Sequence, residues 1–350
     1  MRILVTADPG VPVPPRFYGG IERVIHLLVQ ELVARGHDVL LVADGESDVA
    51  CRLVAYPRAS GMKAHAGNVW SLTQAVRAHR PDVIHSFSRL AYLAPLAMHP
   101  AAKVMSYQRP VTRRSIALGR RVFGRRIRFV ACARHMVTAP LAGEDWDVVY
   151  NAVPTDRFRF AAGVSPDAPL VFLGRVEAIK GPDLAIEIAR RSGRRLIIAG
   201  NVPDEHRAFF NQCVGPHLDD RQVRYIGPVD DVQKVALLGE AAALLMPIRW
   251  PEPFGIVMAE ALACGTPVLG LAAGSVPEVV RQGVTGFVET DVDGLVDAVS
   301  RIQTLDRQDC RRDAEERFSV DALVRGYEAV YLRACANASI AQPANAHPSE

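Results

Sequence analysis

Pro247-Ile248-Arg249-Trp250-Pro251-Glu252-Pro253-Phe254-Gly255-Ile256-Val257-Met258-Ala259-Glu260 carries two carboxylates, Glu252 and Glu260, with seven residues between them and a helix start inside the interval. The apolar run from Ile256 to Cys264 has helical composition and begins at Gly255. The unpaired N–H groups of its first turn therefore point past Phe254 toward whatever Glu252 holds. Glu260 lies farther along, placed to accept hydrogen bonds from a second polyol. Upstream, the apolar run Leu170–Leu173 ends in Gly174-Arg175, and Lys180-Gly181-Pro182 opens the next helix with proline at its first position. One strand-to-helix loop thus holds two cations and a helix N-terminus, a setting suited to a diphosphate. Taken singly, each feature also has a plainer reading, since an acid at a helix start is commonly a cap and a surface cation is commonly only solvated.

The chain alternates short β-branched runs with helical patterns, which predicts parallel α/β layers. Strands are expected at Ile3–Ala7, Val39–Ala43, Val83–Phe87, Val104–Gln108, Phe129–Ala133 and Val148–Val153, then at Leu170–Gly174, Leu196–Gly200, Val223–Gly227, Leu244–Ile248 and Val268–Leu271. Ile21, Val24, Ile25, Leu28 and Leu32 recur at helical spacing, and Arg35-Gly36 supplies a stop. The reading is two Rossmann-like domains: 1–153, a linker over 154–168 where Pro, Gly, Asp and Ser interrupt the pattern, and 169–317. A helix over 318–335 follows, with a disordered tail at 336–350, which has almost no bulky apolar residue.

Together, Gly174-Arg175 to Lys180-Gly181 and Glu252-Pro253-Phe254-Gly255 to Glu260 resemble the nucleotide-sugar site of family 4 of the retaining glycosyltransferases. Tyr18-Gly19-Gly20-Ile21-Glu22, Tyr150-Asn151-Ala152-Val153, Gly227 and Gly274-Ser275-Val276-Pro277-Glu278 agree in order and spacing, so the similarity spans residues 1–334. The resemblance implies the GT-B architecture, with two domains facing a central cleft and a C-terminal helix crossing back to the first. It further implies Arg175 and Lys180 on the donor diphosphate, Glu260 on the ribose, and Glu252 with Phe254, Gly255 and Ile256 at the donor sugar. The base would meet Ile226 and Gly227, and Gly174 would complete the pocket. A UDP-sugar is the first expectation and a GDP-sugar the second. The acceptor would be lipid-linked, phosphorylated, or a glycan or small molecule. The family's front-face displacement needs no protein nucleophile, no cofactor and no metal, because cations and helix N-termini stabilise the leaving diphosphate. A nucleotide-sugar hydrolase or epimerase, or a non-catalytic nucleotide-sugar-binding protein, would use the same donor pocket.

Gly19 and Gly20 would let backbone approach the diphosphate, or they form only a tight turn. Glu22 in the following turn is an acceptor-side candidate, although the helix dipole favours an acid there in any case. His85 stands where the family often has His-x-His, with Phe87 at the second histidine position. His85 is therefore a catalytic candidate, with a satisfied core histidine as the alternative. Tyr107, Gln108 and Arg109 are further acceptor-side candidates. Asp145-Trp146-Asp147 and Asp291-Val292-Asp293 imitate a metal-binding Asp-x-Asp, but their positions before a strand and at a helix start read as turn and cap. No G-x-G-x-x-G follows the first strand, which weakens a nicotinamide reading.

With 49% hydrophobic and 23% charged residues, the 350-residue chain can bury two cores, and no apolar run reaches a membrane span of about 20 residues. Its six scattered cysteines form no C-x-x-C pair and read as reduced thiols of a cytoplasmic protein. The net charge of +3 conceals segregation: Val83–Gly143 contains eleven Lys or Arg and no acid. On a helix over 113–128, Arg113, Arg114, Arg120, Arg121, Arg125 and Arg128 form one broad arc. Such a face is either simply solvated or meets an anionic partner, for which an anionic acceptor or the inner membrane surface is expected and nucleic acid is not.

Overall fold

The computed structural model describes residues 1–15, 19–57, 61–137 and 146–340, with side chains through Ala338. Tyr18, Asp145 and the last ten residues of the expected tail lie outside the described residues. The chain divides into two compact units, Met1–Asn151 with Val320–Glu350, and Ala152–Ser319.

The first unit is built on a parallel sheet of β1 (Arg2–Thr6), β2 (Asp38–Ala43), β3 (Arg52–Ala55), β4 (Val83–Ser86), β5 (Ala102–Tyr107), β6 (Ile127–Ala131) and β7 (Trp146–Val148). The spatial order is β3-β2-β1-β4-β5-β6-β7. The central strands are buried on both faces, so their sequences run nearly continuously apolar. On one face lie α2 (Gly61–His79), a 3-10 turn at Leu90–Leu96 and α3 (Arg113–Phe123). Leu72, Val76, Leu93, Ile116 and Phe123 from this layer share a core with Leu4, Ile84, Ile127 and Phe129 of the sheet. α1 (Gly20–Ala34) and α11 (Val320–Ile340) pack together on the other face.

Tyr331 and Tyr327, one turn apart on α11, pin it to the middle of this sheet. The Tyr331 hydroxyl lies 2.7 Å from His85 Nδ1, while His85 Nε2 lies 2.7 Å from Ser106 Oγ, itself 3.1 Å from the Tyr327 hydroxyl. At the helix's outer side, Arg35 bonds Glu31, Glu328 and Asp321, and His37 reaches Glu328 at 3.0 Å.

The second unit has β8 (Leu170–Leu173), β9 (Leu196–Ala199), β10 (Val223–Tyr225), β11 (Ala243–Met246), β12 (Val268–Leu271) and β13 (Gly286–Glu289), all parallel, in the order β10-β9-β8-β11-β12-β13. α4 (Pro182–Arg191) and α9 (Val292–Arg301) share a core with one face. α6 (Asp231–Glu240) and α10 (Arg307–Phe318) pack against α7 (Ile256–Ala263), while α5 (Arg207–Phe209) and α8 (Val276–Val279) are single turns.

Several expectations are corrected. Residues 154–168 are no free linker: buried Arg307 bonds the carbonyls of Ala161, Ala241 and Gly239, and Arg311 bonds those of Phe158 and Ala263, which straps the segment onto the second unit. α11 continues to Ile340, so its end overlaps the expected tail. β3 and β13 were not anticipated. α3 stops at Phe123 rather than 128 because Gly124 leaves the helical region with φ 56°. Arg128 consequently sits on β6, buried against Asp147 at 2.7 Å, outside any basic helical arc.

Burial holds His85 neutral, its pKa lowered to about 3 from 6.5. Below pH 6.5 the unfolded chain takes up a proton that the folded chain refuses, so stability present above 6.5 is lost as pH falls toward 3, by about 1.4 kcal/mol per pH unit from this group. We expect His85→Gln to flatten that slope between pH 6 and 4 in denaturant titrations. Tyr331→Phe, which strips Nδ1 of its partner, should cost about 1–3 kcal/mol at pH 7 by the same measurement.

Candidate functional site

In the second unit the chain moves from β8 outward through β9 and β10, then returns to place β11 on the other side of β8. Such a reversal opens a crevice at the carboxyl ends of the two central strands, where parallel sheets bind ligands. The β8–α4 loop and the β11–α7 loop meet there. Arg249 ties them, its backbone N–H donating to Ile179 O at 2.8 Å and its guanidinium gripping both Asp183 oxygens at 2.7 and 2.6 Å. Gly181, at φ 73°, is required by this approach, since a Cβ would stand 2.1 Å from Pro247 O.

The result is a direct ion pair between Lys180 Nζ and Glu252 Oε2. Trp250 Nε1 donates to the same carboxylate oxygen at 2.7 Å, and the Lys180 ammonium lies 4.8 Å from the centre of the Trp250 ring. A third loop, after β12, braces the carboxylate's backbone. Ser275 N–H donates to Glu252 O at 3.0 Å and Ser275 Oγ to Phe254 O at 2.8 Å, while a Cβ on Gly274 would fall 2.3 Å from Glu252 N.

Gly255 is the N-cap of α7, leaving the first-turn amides of Ile256 and its neighbours at this loop's exit. Phe254 turns its ring into the core against Phe318, so only its backbone is available to a ligand. Glu260, one α7 turn further and largely buried, is met by Lys234 Nζ at 2.5 Å. Lys234 projects from the first turn of α6, which Asp230 and Gln233 close with a reciprocal capping box. Arg175 is turned to Glu177 at 2.8 Å, and His206 holds the other Glu177 oxygen at 3.1 Å. Across the strand ends, Gly200 N–H donates to Gly227 O at 2.8 Å and Gly174 N–H to Ala199 O at 3.0 Å, giving a glycine ledge beside the exposed side chain of Ile226.

Lys180 with Glu252, and the segment carrying Glu260, are thus brought to the strand ends of one unit. The sequence reading missed Lys234, Trp250 and Gly200. A capping box after Gly227-Pro228 marks the helix carrying Lys234, but nothing local points that lysine at a carboxylate 26 positions away.

In the first unit the corresponding reversal lies between β1 and β4. Gly19 caps α1 and Gly20 begins it; a Cβ on Gly19 would strike Pro15 at 2.7 Å and Glu22 Oε2 at 2.9 Å. Glu22 is buried and its pKa is raised, chiefly by desolvation; Asp8 pushes the same way, while a backbone hydrogen bond and the Arg109 charge oppose it. Exposed Arg109 therefore shares an electrostatic neighbourhood with Glu22.

His85 is corrected as a catalytic candidate: it is fully buried, bonded at both nitrogens to Tyr331 and Ser106, and tilted against Phe87 with ring centres 4.3 Å apart. Tyr107 is corrected as well. Side chains alternate along β5, so Ser106 faces α11 and Tyr107 faces the α3 layer, packed on Phe129 and Trp146 with its pKa raised to about 12 by burial. Gln108 spends its amide on a reciprocal pair with Asn151 at 2.9 and 2.8 Å. Asp147 lies between Arg128 and Arg333, and Asp291 caps α9.

Two family models match: Glycosyl transferases group 1 over residues 155–317 and Glycosyltransferase Family 4 over residues 18–157. The chain is 27% identical to glycogen synthase of Mycobacterium tuberculosis (strain CDC 1551 / Oshkosh), covering 86% of each protein. It is 33% identical to D-inositol 3-phosphate glycosyltransferase of Mycobacterium avium (strain 104) over 44% of this chain and 40% of that one. Among solved structures, AviGT4, a glycosyltransferase involved in avilamycin A biosynthesis, superposes with a TM-score of 0.75 at 25% identity, covering 96% of this chain and 98% of that one. Anabaena Alr3699/HepE, solved with UDP and glucose, does so at 0.72 and 18%, covering 94% and 98%, a likeness of fold alone. Two parallel sheets, each reversing direction at its centre, and two family models that together span residues 18–317 make this chain a member of the family 4 type of glycosyltransferases, with GT-B architecture.

Proposed function

We propose that the enzyme transfers a sugar from a nucleotide diphosphate sugar, a UDP-sugar first, to its acceptor with retention of configuration and without a metal. The observation that carries this is the Lys180–Glu252 pair at the mouth of the central crevice, with the α7 N-terminus behind it. The donor diphosphate, with two negative charges, displaces Glu252 from Lys180 and takes the ammonium for itself. Glu252, still oriented by Trp250, then accepts from a hydroxyl of the donor sugar. Arg175 joins Lys180 on the diphosphate. The ribose hydroxyls bond Glu260, whose charge Lys234 holds in place, and the base lies over Gly227 against Ile226. As the glycosidic bond breaks, charge gathers on the leaving phosphate, where Lys180 and the helix amides already stand. A leaving oxygen takes the proton of the acceptor hydroxyl, which attacks from the same face. The anionic acceptor surface and the cytoplasmic setting expected from charge and cysteines belong to the same reading, and HepE, of like fold, was solved with UDP and glucose.

Glu252→Gln keeps the shape and removes the charge, so turnover should fall about 100-fold or more; Lys180 loses its counter-charge and the melting temperature drops, so turnover is measured where circular dichroism shows the variant folded. Near-normal turnover would take Glu252 out of the mechanism. Lys234→Ala should act differently, raising KM for the donor about 10-fold while kcat changes less, because it loosens a ground-state contact. Activity should survive EDTA, and NMR of the product should find the donor's anomeric configuration retained. Thermal shifts with UDP, GDP and ADP will identify the base, since only a bound nucleotide stabilises the fold.

A further inference from the structure

The outer face of the layer formed by α2, the Leu90–Leu96 turn and α3 is poor in acid and rich in exposed apolar and cationic side chains. Between Asp48 and Glu144 the sequence contains a single carboxylate, Asp82, which pairs with Arg2. α2 buries Asn68, Leu72, Ala75 and Val76 and turns Lys63, Ala66, Trp70, Gln74 and Arg77 outward. α3 buries Ile116, Gly119 and Phe123 and turns out Arg113, Arg114, Leu118, Arg121 and Val122, with Arg125 following. Both helices pack on the same sheet face, so these sides look the same way.

Trp70 is 65% exposed, Leu118 58% and Met98, at the end of the intervening turn, 82%. An indole this open is unusual on a solvated face, and here it stands among cations. At the edge where the strands begin, a groove of about 600 Å3 is lined by Arg2, Arg77, Arg80, His99 and Asp82, adding cations beside Met98. Apolar side chains interleaved with arginines are uncommon on a purely aqueous face, and the near absence of carboxylates favours a partner that is anionic throughout. They suit the boundary of a bilayer, where the rings and methyls enter the headgroup region and the arginines meet phosphates.

We infer that this face seats the enzyme on a membrane surface bearing anionic lipid, with Trp70 and Leu118 inserted and Arg113, Arg114, Arg121 and Arg125 on the headgroups. The inference goes beyond the transfer reaction and its test needs no donor or acceptor, so its failure leaves the donor-site reading standing.

The full chain is mixed with vesicles of phosphatidylcholine alone or with phosphatidylglycerol added, at low and high salt, and floated. Wild type should float with the mixed vesicles at low salt, and high salt should release it. Tryptophan emission should shift to the blue on binding, and Trp70→Phe, which keeps Trp146 and Trp250, should abolish that shift. Arg113, Arg114, Arg121 and Arg125 changed together to Gln should lower vesicle affinity about 100-fold or more, at about five-fold per arginine, with an unchanged circular-dichroism spectrum and melting temperature as evidence of folding. The inference is overturned by equal binding to both vesicle types, by no binding to mixed vesicles at low salt, by a quadruple variant that floats like wild type, or by an emission shift that survives Trp70→Phe.

Discussion

The ion pair between Lys180 and Glu252 joins residues 72 positions apart and depends on three loops being in register. The β8–α4 loop supplies the lysine, the β11–α7 loop the carboxylate, and the β12–α8 loop holds the carboxylate's backbone through Ser275. Each loop leaves an adjacent parallel strand, so their separation follows the strand spacing and no long excursion is needed. Because both side chains are largely withdrawn from water, removing either leaves the other charge poorly compensated. In the reaction we propose, a diphosphate replaces Glu252 on Lys180 and keeps that ammonium compensated, so the resting pair holds the anion's place.

The same topology serves a different purpose in the first unit. There the polar centre is enclosed: His85, Ser106, Tyr327 and Tyr331 satisfy one another, and α11 closes over them. A buried network is tolerated when its members are partnered, and its directional bonds fix how α11 lies on the sheet more sharply than apolar contact alone would. Phe87 fits this arrangement, since a ring tilted against His85 adds to the core without asking for a hydrogen bond. At the strand ends of this unit lie Gly19, Gly20, the exposed Arg109 and the buried carboxyl of Glu22, whose pKa is raised by desolvation.

The sequence by itself determined the alternation of strand and helix, because a strand buried on both faces must be continuously apolar and a helix against it must be apolar at every third or fourth position. It also marked the two loops that meet at the strand ends of the second unit, because glycines such as Gly181 and the starts of α4 and α7 at Gly181 and Gly255 are local necessities written into adjacent residues. Short β3 and β13 escaped because four residues at a sheet edge carry too little periodicity to announce themselves. Only the tertiary structure decided partners. Lys234 finds Glu260, and Trp250 with Lys180 finds Glu252, through strand order, which no local pattern encodes. His85 and Tyr107 stand in strands whose residues read alike on either face. Which face met solvent, which met a helix from the far end of the chain, and hence which polar atoms stayed free, followed from the packing of α11 and α3 on opposite sides of one sheet.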